Sequence, residues 1–170
     1  MIMKKLYLIR HAKSSWDNTL MKDIDRPLNK RGEKDAPRMA KRIKERRIFP
    51  DIILSSPAHR ALSTCKAFCR ILKLEEKQIK IAHQLYHASE DDLLEVVRGL
   101  QDRKNDDEEI VFLFGHNPGL TEFANSLLNE DIDNIPTCGI IACSFSVKKW
   151  SEVSWGSGEL EFFDYPKKKD

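Results

Sequence analysis

Ile110-Val111-Phe112-Leu113-Phe114 runs directly into Gly115-His116-Asn117-Pro118-Gly119. Five apolar residues in a row, with no alternation, read as a strand buried on both faces, the pattern of a parallel sheet. The Gly, Asn and Pro that follow end the strand. Asn117 as N-cap and Pro118 at the first helical position then open a helix that runs to Leu128. A buried strand, a short polar turn and a helix make half of a parallel crossover unit, and the rest of the chain repeats that unit.

Leu6-Tyr7-Leu8-Ile9 is a second apolar run and ends in Arg10-His11. From Asn29 to Arg47 the spacing is helical: Ala36, Met39, Ala40 and Ile43 share one face, Asn29 suits the N-cap, and Pro37 is expected to kink the first turns. Asp51-Ile52-Ile53-Leu54-Ser55 is a third buried strand, with a helix from Ala58 to Leu72 behind it. Ile79-Lys80-Ile81 is a short edge strand. Asp91 to Leu100 is amphipathic through Leu93, Leu94, Val96, Val97 and Leu100, and Asn105 to Glu109 reads as an acidic turn. Ile140 to Val147 and Glu159 to Phe163 alternate as strands near a sheet edge do. Strands alternating with helices predict an α/β three-layer sandwich with a mainly parallel central sheet. We read a single domain over residues 1–166 and a solvated basic tail over 167–170.

Composition narrows the function classes. A chain of 170 residues, 41% hydrophobic and 33% charged, is ordinary for a globular protein with one sizeable core. A net charge of +2 gives no overall field that would favour nucleic acid or a membrane surface. No apolar run is long enough to span a bilayer, and Met1-Ile2-Met3-Lys4-Lys5 leads into a strand with no signal-peptide pattern, so a cytoplasmic protein is expected. Cys65, Cys69, Cys138 and Cys143 form no C-x-x-C pair and read as reduced core thiols.

The chemistry lies where the buried strands end, because ligands of open α/β sheets bind outside the carboxyl ends of the strands. One strand delivers Arg10 and His11. Another delivers Ser55-Ser56-Pro57, with Arg60 one turn into the next helix. The third delivers His116. A strand-end His alone is more often structural, and a helix Arg alone is more often a solvated charge. Two of each at one sheet edge suit a dianion, because guanidinium forks match phosphate oxygens and helix amino ends add amide donors. An imidazole among arginines is kept neutral by their charge and can attack phosphorus through a ring nitrogen, with no metal required.

Several motifs carry a family resemblance. Leu8-Ile9-Arg10-His11-Ala12 resembles the R-H-G signature of the histidine phosphatase superfamily, whose fold is phosphoglycerate mutase-like. Asp25-Arg26-Pro27-Leu28-Asn29 followed by Lys30-Arg31-Gly32 resembles its R-P-L turn. Ser55 to Thr64 resembles its S-x-x-x-R-A-x-x-T segment, and Gly115-His116-Asn117-Pro118 its second-histidine motif. The matches span residues 8 to 119 in the family's order, and the short chain with its G-H-N-P-G-L run looks most like the SixA-type phosphohistidine phosphatases. The resemblance implies that His11 is transiently phosphorylated and that Arg10, Arg60 and His116 hold the phosphoryl oxygens. It implies that Arg26 lines the pocket entrance or bonds the phosphate more loosely, and that a carbonyl near residue 12 fixes the other ring nitrogen of His11. It implies no cofactor, and a substrate that is a phosphohistidine carrier protein or a small phosphorylated molecule, met by a monomer.

Three positions depart from the family pattern. Ala12 stands where glycine is usual. Asp17 stands where relatives have Asn, and a carboxylate there would repel phosphate. The general acid is ambiguous: Glu90 and Asp91 are candidates, although both also suit a helix amino end. An absent acid would favour a labile P–N bond over a phosphomonoester, whose alkoxide needs a proton. His83 and His87 stand four apart, as zinc ligands do, but in a segment that reads as a loop. His59 beside Arg60 reads as exposed, and Trp150 and Trp155 read as hairpin packing. The rival readings are a mutase or phosphatase of a small metabolite, which the absence of a long lid insertion disfavours, and a silent phosphate-binding module, which retention of both His residues and all three Arg disfavours.

Overall fold

The computed structural model describes residues 3–103 and 108–169. Six strands form one sheet: β1 (Met3–Arg10), β2 (Ile52–Ser55), β3 (Ile79–Ile81), β4 (Glu108–Gly115), β5 (Ile140–Phe145) and β6 (Glu159–Asp164). Their order is β3-β2-β4-β1-β5-β6. The pairings β2·β3, β2·β4 and β1·β4 are parallel, and those of β5 with β1 and β6 are antiparallel. The expected mainly parallel α/β architecture is therefore present.

The layers follow from the period of two along each strand. Tyr7, Ile9, Ile53, Phe112, Phe114, Ile140 and Ala142 face one side, where they meet α1 (Lys30–Glu45) and α2 (His59–Leu72) through Ala36, Met39, Ile43, Cys65 and Phe68. Leu6, Leu8, Leu54, Val111, Leu113 and Ile141 face the other side, where they meet α3 (Glu90–Arg98) and α4 (Gly119–Leu128) through Leu93, Val97, Leu120, Phe123 and Leu127. The phenyl rings of Phe112, Phe114 and Phe123 are almost fully buried, each stabilising the fold by about 1.5–3 kcal/mol relative to exposure.

Several elements differ from the sequence reading. β5 and β6 lie at one side of the sheet, as expected of strands near an edge, with β6 the edge itself, but β5 stops at Phe145 rather than Val147 and is buried along its whole length. Within Asn105–Glu109, residues 105–107 lie outside the described residues, and Glu108 and Glu109 open β4. The Glu109 carboxylate is buried because it accepts from the Trp150 indole and from the Arg103 amide and pairs with Lys4. α1 begins at the expected cap, the Asn29 side chain accepting from Gly32 N, and continues through Pro37. α4 begins one residue later than expected, with Pro118 as its N-cap. Asn117 still serves that helix end, its Oδ1 accepting from Thr121 N at 3.3 Å and from Thr121 Oγ1 at 2.9 Å. α3 spans Glu90–Arg98 rather than Asp91–Leu100, with Ser89 and Asp92 forming a capping box. Lys167, Lys168 and Lys169 are exposed but turned back, Lys168 donating through Nζ to the Phe163 carbonyl. All four cysteines are free and buried, and Cys143 lies inside β5. Among the described residues, no helix is long and apolar enough to cross a membrane.

Candidate active site

The parallel register places the strand ends level. Arg10 pairs with Gly115, and Ser55 with Phe114. The ladder then continues one step, His11 N donating to Gly115 O at 3.1 Å and Ser56 N to Phe114 O at 3.0 Å. His11, Ser56 and His116 therefore leave the sheet side by side, and the His11 and His116 rings lie 5.2 Å apart.

His11 Nδ1 lies 2.7 Å from the Ala12 carbonyl. A carbonyl only accepts, so Nδ1 carries the proton and Nε2 carries the lone pair, with no partner among the described residues. This is the contact expected near residue 12. Ala12 itself is buried, and its amide is held by Thr64 Oγ1 at 2.9 Å, which also donates to Arg60 O. Gly32 fixes the same loop: a Cβ there would sit 2.2 Å from Lys13 O, so only glycine lets α1 approach this closely.

His116 Nε2 lies 2.7 Å from Ser56 Oγ, which also accepts from Ala58 N at 3.2 Å. The Ser56 hydroxyl proton is then free to donate to Nε2, which puts the ring proton of His116 on Nδ1. Arg60 donates through its two terminal nitrogens to the Asp23 backbone carbonyl at 2.7 Å and to Asp23 Oδ2 at 3.1 Å. Arg10 donates to Ile135 O at 2.8 Å. Four buried side-chain N or O atoms lack a hydrogen bond among the described residues, and three of them are donors here: Arg10 Nε, Arg60 Nε and His116 Nδ1. Leaving a buried donor unmade costs about 1–3 kcal/mol. Arg10, Arg60 and His116 line the same cavity as the free lone pair of His11, and a phosphoryl group with its several acceptor oxygens is what these cationic and N–H donors suit.

Arg26 is buried against Ser14 Oγ at 2.7 Å and Asp23 Oδ1 at 3.0 Å, and its guanidinium lies 3.5 Å from the Trp16 ring centre. Asp23 thus holds both Arg26 and Arg60. The Tyr86 hydroxyl, donating to it at 2.6 Å, and then the two arginines keep its carboxyl well below the usual carboxylate range. Burial pushes His11 down to about 4, with Arg60, Arg10 and Arg26 adding to it against the Ala12 contact. Burial also takes His116 down to about 3, helped by His11 and Arg60. Both rings are neutral at neutral pH. The sequence reading named the arginine charges as the cause, but desolvation is the larger one.

The structure brings Arg10, His11, Arg26, Arg60 and His116 around one cavity of about 340 Å³. It does not bring Glu90 or Asp91 there. Glu90 Oε2 accepts from Ser126 Oγ of α4 at 2.7 Å, and Asp91 is exposed on the first turn of α3. Asp17 and His59 are exposed and do not line the cavity. Among the described residues, no group of three or more His, Cys, Asp or Glu is placed to hold a metal ion, and His83 and His87 form no such group. Sequence reasoning missed Asp23, Ser56, Thr64 and Tyr86. Asp23 three residues before Arg26, and Thr64 four after Arg60, carried a usable local signal; Tyr86 carried none.

This fold and site geometry define a phosphoryl-handling α/β protein with histidine at its centre. The model of the histidine phosphatase superfamily (branch 1) matches residues 6–86. An uncharacterised chloroplastic protein of Arabidopsis thaliana is 30% identical over 92% of this chain and 73% of its own length. A structure assigned as a phosphohistidine phosphatase SixA from Agrobacterium tumefaciens superposes with a TM-score of 0.79 at 27% identity, covering 95% of this chain and 97% of the other. A protein histidine phosphatase SixA with tungstate superposes at 0.78 with 20% identity, over 95% and 97% of the two chains. A phosphoglycerate mutase of Bifidobacterium longum is 39% identical, but over only 35% of this chain and 25% of its own. The chain belongs to the histidine phosphatase superfamily.

Proposed function

We propose that this protein is a phosphohistidine phosphatase that works without a metal through a transient phospho-His11. Nε2 of His11 attacks phosphorus, while Arg10, Arg60 and His116 take the oxygens through donors that otherwise lack partners. Arg26 adds positive charge at the entrance. Water then hydrolyses phospho-His11. The observation that carries this reading is the lone pair of His11 Nε2, fixed by Ala12 O, in a cavity lined by Arg10, Arg26, Arg60 and His116. The resemblance to SixA structures along nearly the whole chain supports a phosphohistidine on a protein as substrate. The short mutase match does not extend to that family's whole length.

The test is a side-by-side measurement of kcat/KM, in the presence of EDTA, on a phosphohistidine carrier protein, a phosphohistidine peptide and several sugar phosphates. The carrier protein should be preferred, and brief exposure to labelled substrate should leave an acid-labile label on His11. A clear preference for one sugar phosphate would make this a metabolite phosphatase instead. Loss of all turnover in EDTA, restored by a divalent metal, would remove the metal-free mechanism.

A further inference from the structure

A second cavity, of about 440 Å³, adjoins the first. The two share Arg60, His116 and Asn117 as a common wall. Their charges are opposite. The cavity of His11 is lined by Arg10, Lys13, Arg26 and Arg60 and by no carboxylate. The adjoining one is lined by Asp23 and Glu122, with His87, and Arg60 is its one arginine. A phosphoryl group held among the cations would leave the second cavity, past Arg60 and His116, for the rest of its molecule.

Resting on the phosphatase reading, we propose that this second cavity is the leaving-group subsite, that Asp23 and Glu122 select leaving groups without negative charge, and that His87 delivers the proton to them. A carboxylate or second phosphate on the leaving group would face the Glu122 carboxylate beside the arginine-paired Asp23, and an uncompensated like charge is costly. Imidazole, phenol or a neutral alcohol meets no such penalty. The amino end of α4 also opens here, and Glu122 in its first turn already supplies the negative charge that this end favours.

The geometry singles out His87 as the donor. Asp23 is bound by Tyr86, Arg26 and Arg60 and has no proton to give. His87 is exposed, makes no hydrogen bond among the described residues, and packs on Tyr86 with ring centres 3.9 Å apart. Tyr86 in turn lies edge-on to His116 at 5.6 Å. His87 is also close enough to His116 to count among the charges that depress that ring. Its backbone is left-handed, with φ of 59°, which is uncommon outside glycine. The turn is clamped from below, because a Cβ on Gly119 would sit 2.2 Å from Ala88 O.

The proton balance closes within the site. As His11 Nε2 bonds to phosphorus, the bond from phosphorus to the leaving atom breaks and its electron pair returns to that atom. The imidazolium of His87 supplies the proton that makes the departing imidazole or alcohol neutral. Water then attacks phospho-His11, the N–P electron pair returns to Nε2, and the proton lost by water restores His87.

The experiment compares phenyl phosphate, whose leaving group needs the proton, with 4-nitrophenyl phosphate, whose leaving group needs it far less. His87→Asn should lower the ratio of their kcat/KM values by roughly 10²-fold. His87→Gly, which suits the left-handed backbone, should regain phenyl phosphate turnover when imidazole is added. Glu122→Lys should raise the ratio for 3-phosphoglycerate over phenyl phosphate by roughly 10-fold. A merely structural role for His87 would lower both aryl phosphates in parallel and give no rescue, and that result overturns the proposal. Unmoved ratios in Glu122→Lys overturn the selectivity part. Wild-type protein that cleaves 4-nitrophenyl phosphate and labels His11, yet shows these negative results, loses this inference alone. Wild-type protein that does neither loses the phosphatase reading, and this inference with it.

Discussion

The parallel and antiparallel halves of the sheet contribute to the site in different ways. β1, β2 and β4 run the same way, so each ends at the cleft and hands over side chains: Arg10 and His11, Ser56, and His116. β5 runs the opposite way and starts at the cleft. What it offers there is the backbone of its approach. Ile135 O accepts from Arg10, Gly139 O accepts from Arg10 N, and Cys138 N donates to His11 O. Chemistry therefore concentrates on strands that end at the cleft, and rigidity comes from the strand that begins there. Substitutions in the two halves should separate activity from stability.

The largest effect is expected at His11. His11→Ala should abolish turnover, a loss of roughly 10⁴-fold or more, with the thermal midpoint little changed, because Leu6, Leu8 and Ile9 supply the packing of β1. Retention of most activity would break the comparison at its centre.

Next comes a pair of substitutions. Arg60→Ala should lower kcat/KM by roughly 10²–10³-fold, since it removes an orphaned donor and releases Asp23. Cys143→Ala, inside β5, should cost about 1–2 kcal/mol of stability and leave kcat nearly unchanged. Urea unfolding beside steady-state kinetics checks both. A large loss of kcat in Cys143→Ala would show that the antiparallel half does more than hold the frame.

A third prediction concerns pH. His11 and His116 are held below their ordinary value in the fold, at about 4 and about 3. The unfolded chain takes up protons below about pH 6.5, and the folded chain does not. The stability present above that pH is therefore lost as pH falls from about 6.5 toward 4, by up to about 1.4 kcal/mol per unit for each ring. Urea unfolding at pH 8, 6 and 5 measures the slope, and His116→Asn should make it shallower. A flat profile would show that the rings are not buried as described.

The smallest effect is expected at Glu90. Glu90→Gln should leave turnover unchanged and weaken only the bond to Ser126, by less than about 1 kcal/mol. A fall in alkyl phosphate turnover would return Glu90 to the chemistry.

The layout of the sheet was legible because buried parallel strands are short apolar runs, and their polar ends mark one edge. His11, Arg10, Arg60 and His116 were legible for the same reason. Strand neighbours are not written locally, so the antiparallel pairing that sets β5 between β1 and β6 was not legible. Glu90 and Asp91 were named as possible acids from their position at the start of α3, which does not show where they point; Glu90 turns to α4 and neither lines the cavity of His11. Tyr86 and His87 meet Asp23 and His116 only because separate turns come together in the fold, and a reading along the chain does not see such meetings.

The stacking of Arg26 on Trp16 has a spectroscopic consequence. The indole of Trp16 is 73% exposed, while that of Trp150 is sealed in the core against Glu109. A guanidinium that shifts to meet an incoming anion changes the surroundings of Trp16 and leaves Trp150 untouched. The emission of Trp16 is thus a built-in gauge of site occupancy. Titration with inorganic phosphate should move it, and Trp16→Phe should silence the signal while Trp150 continues to report unfolding.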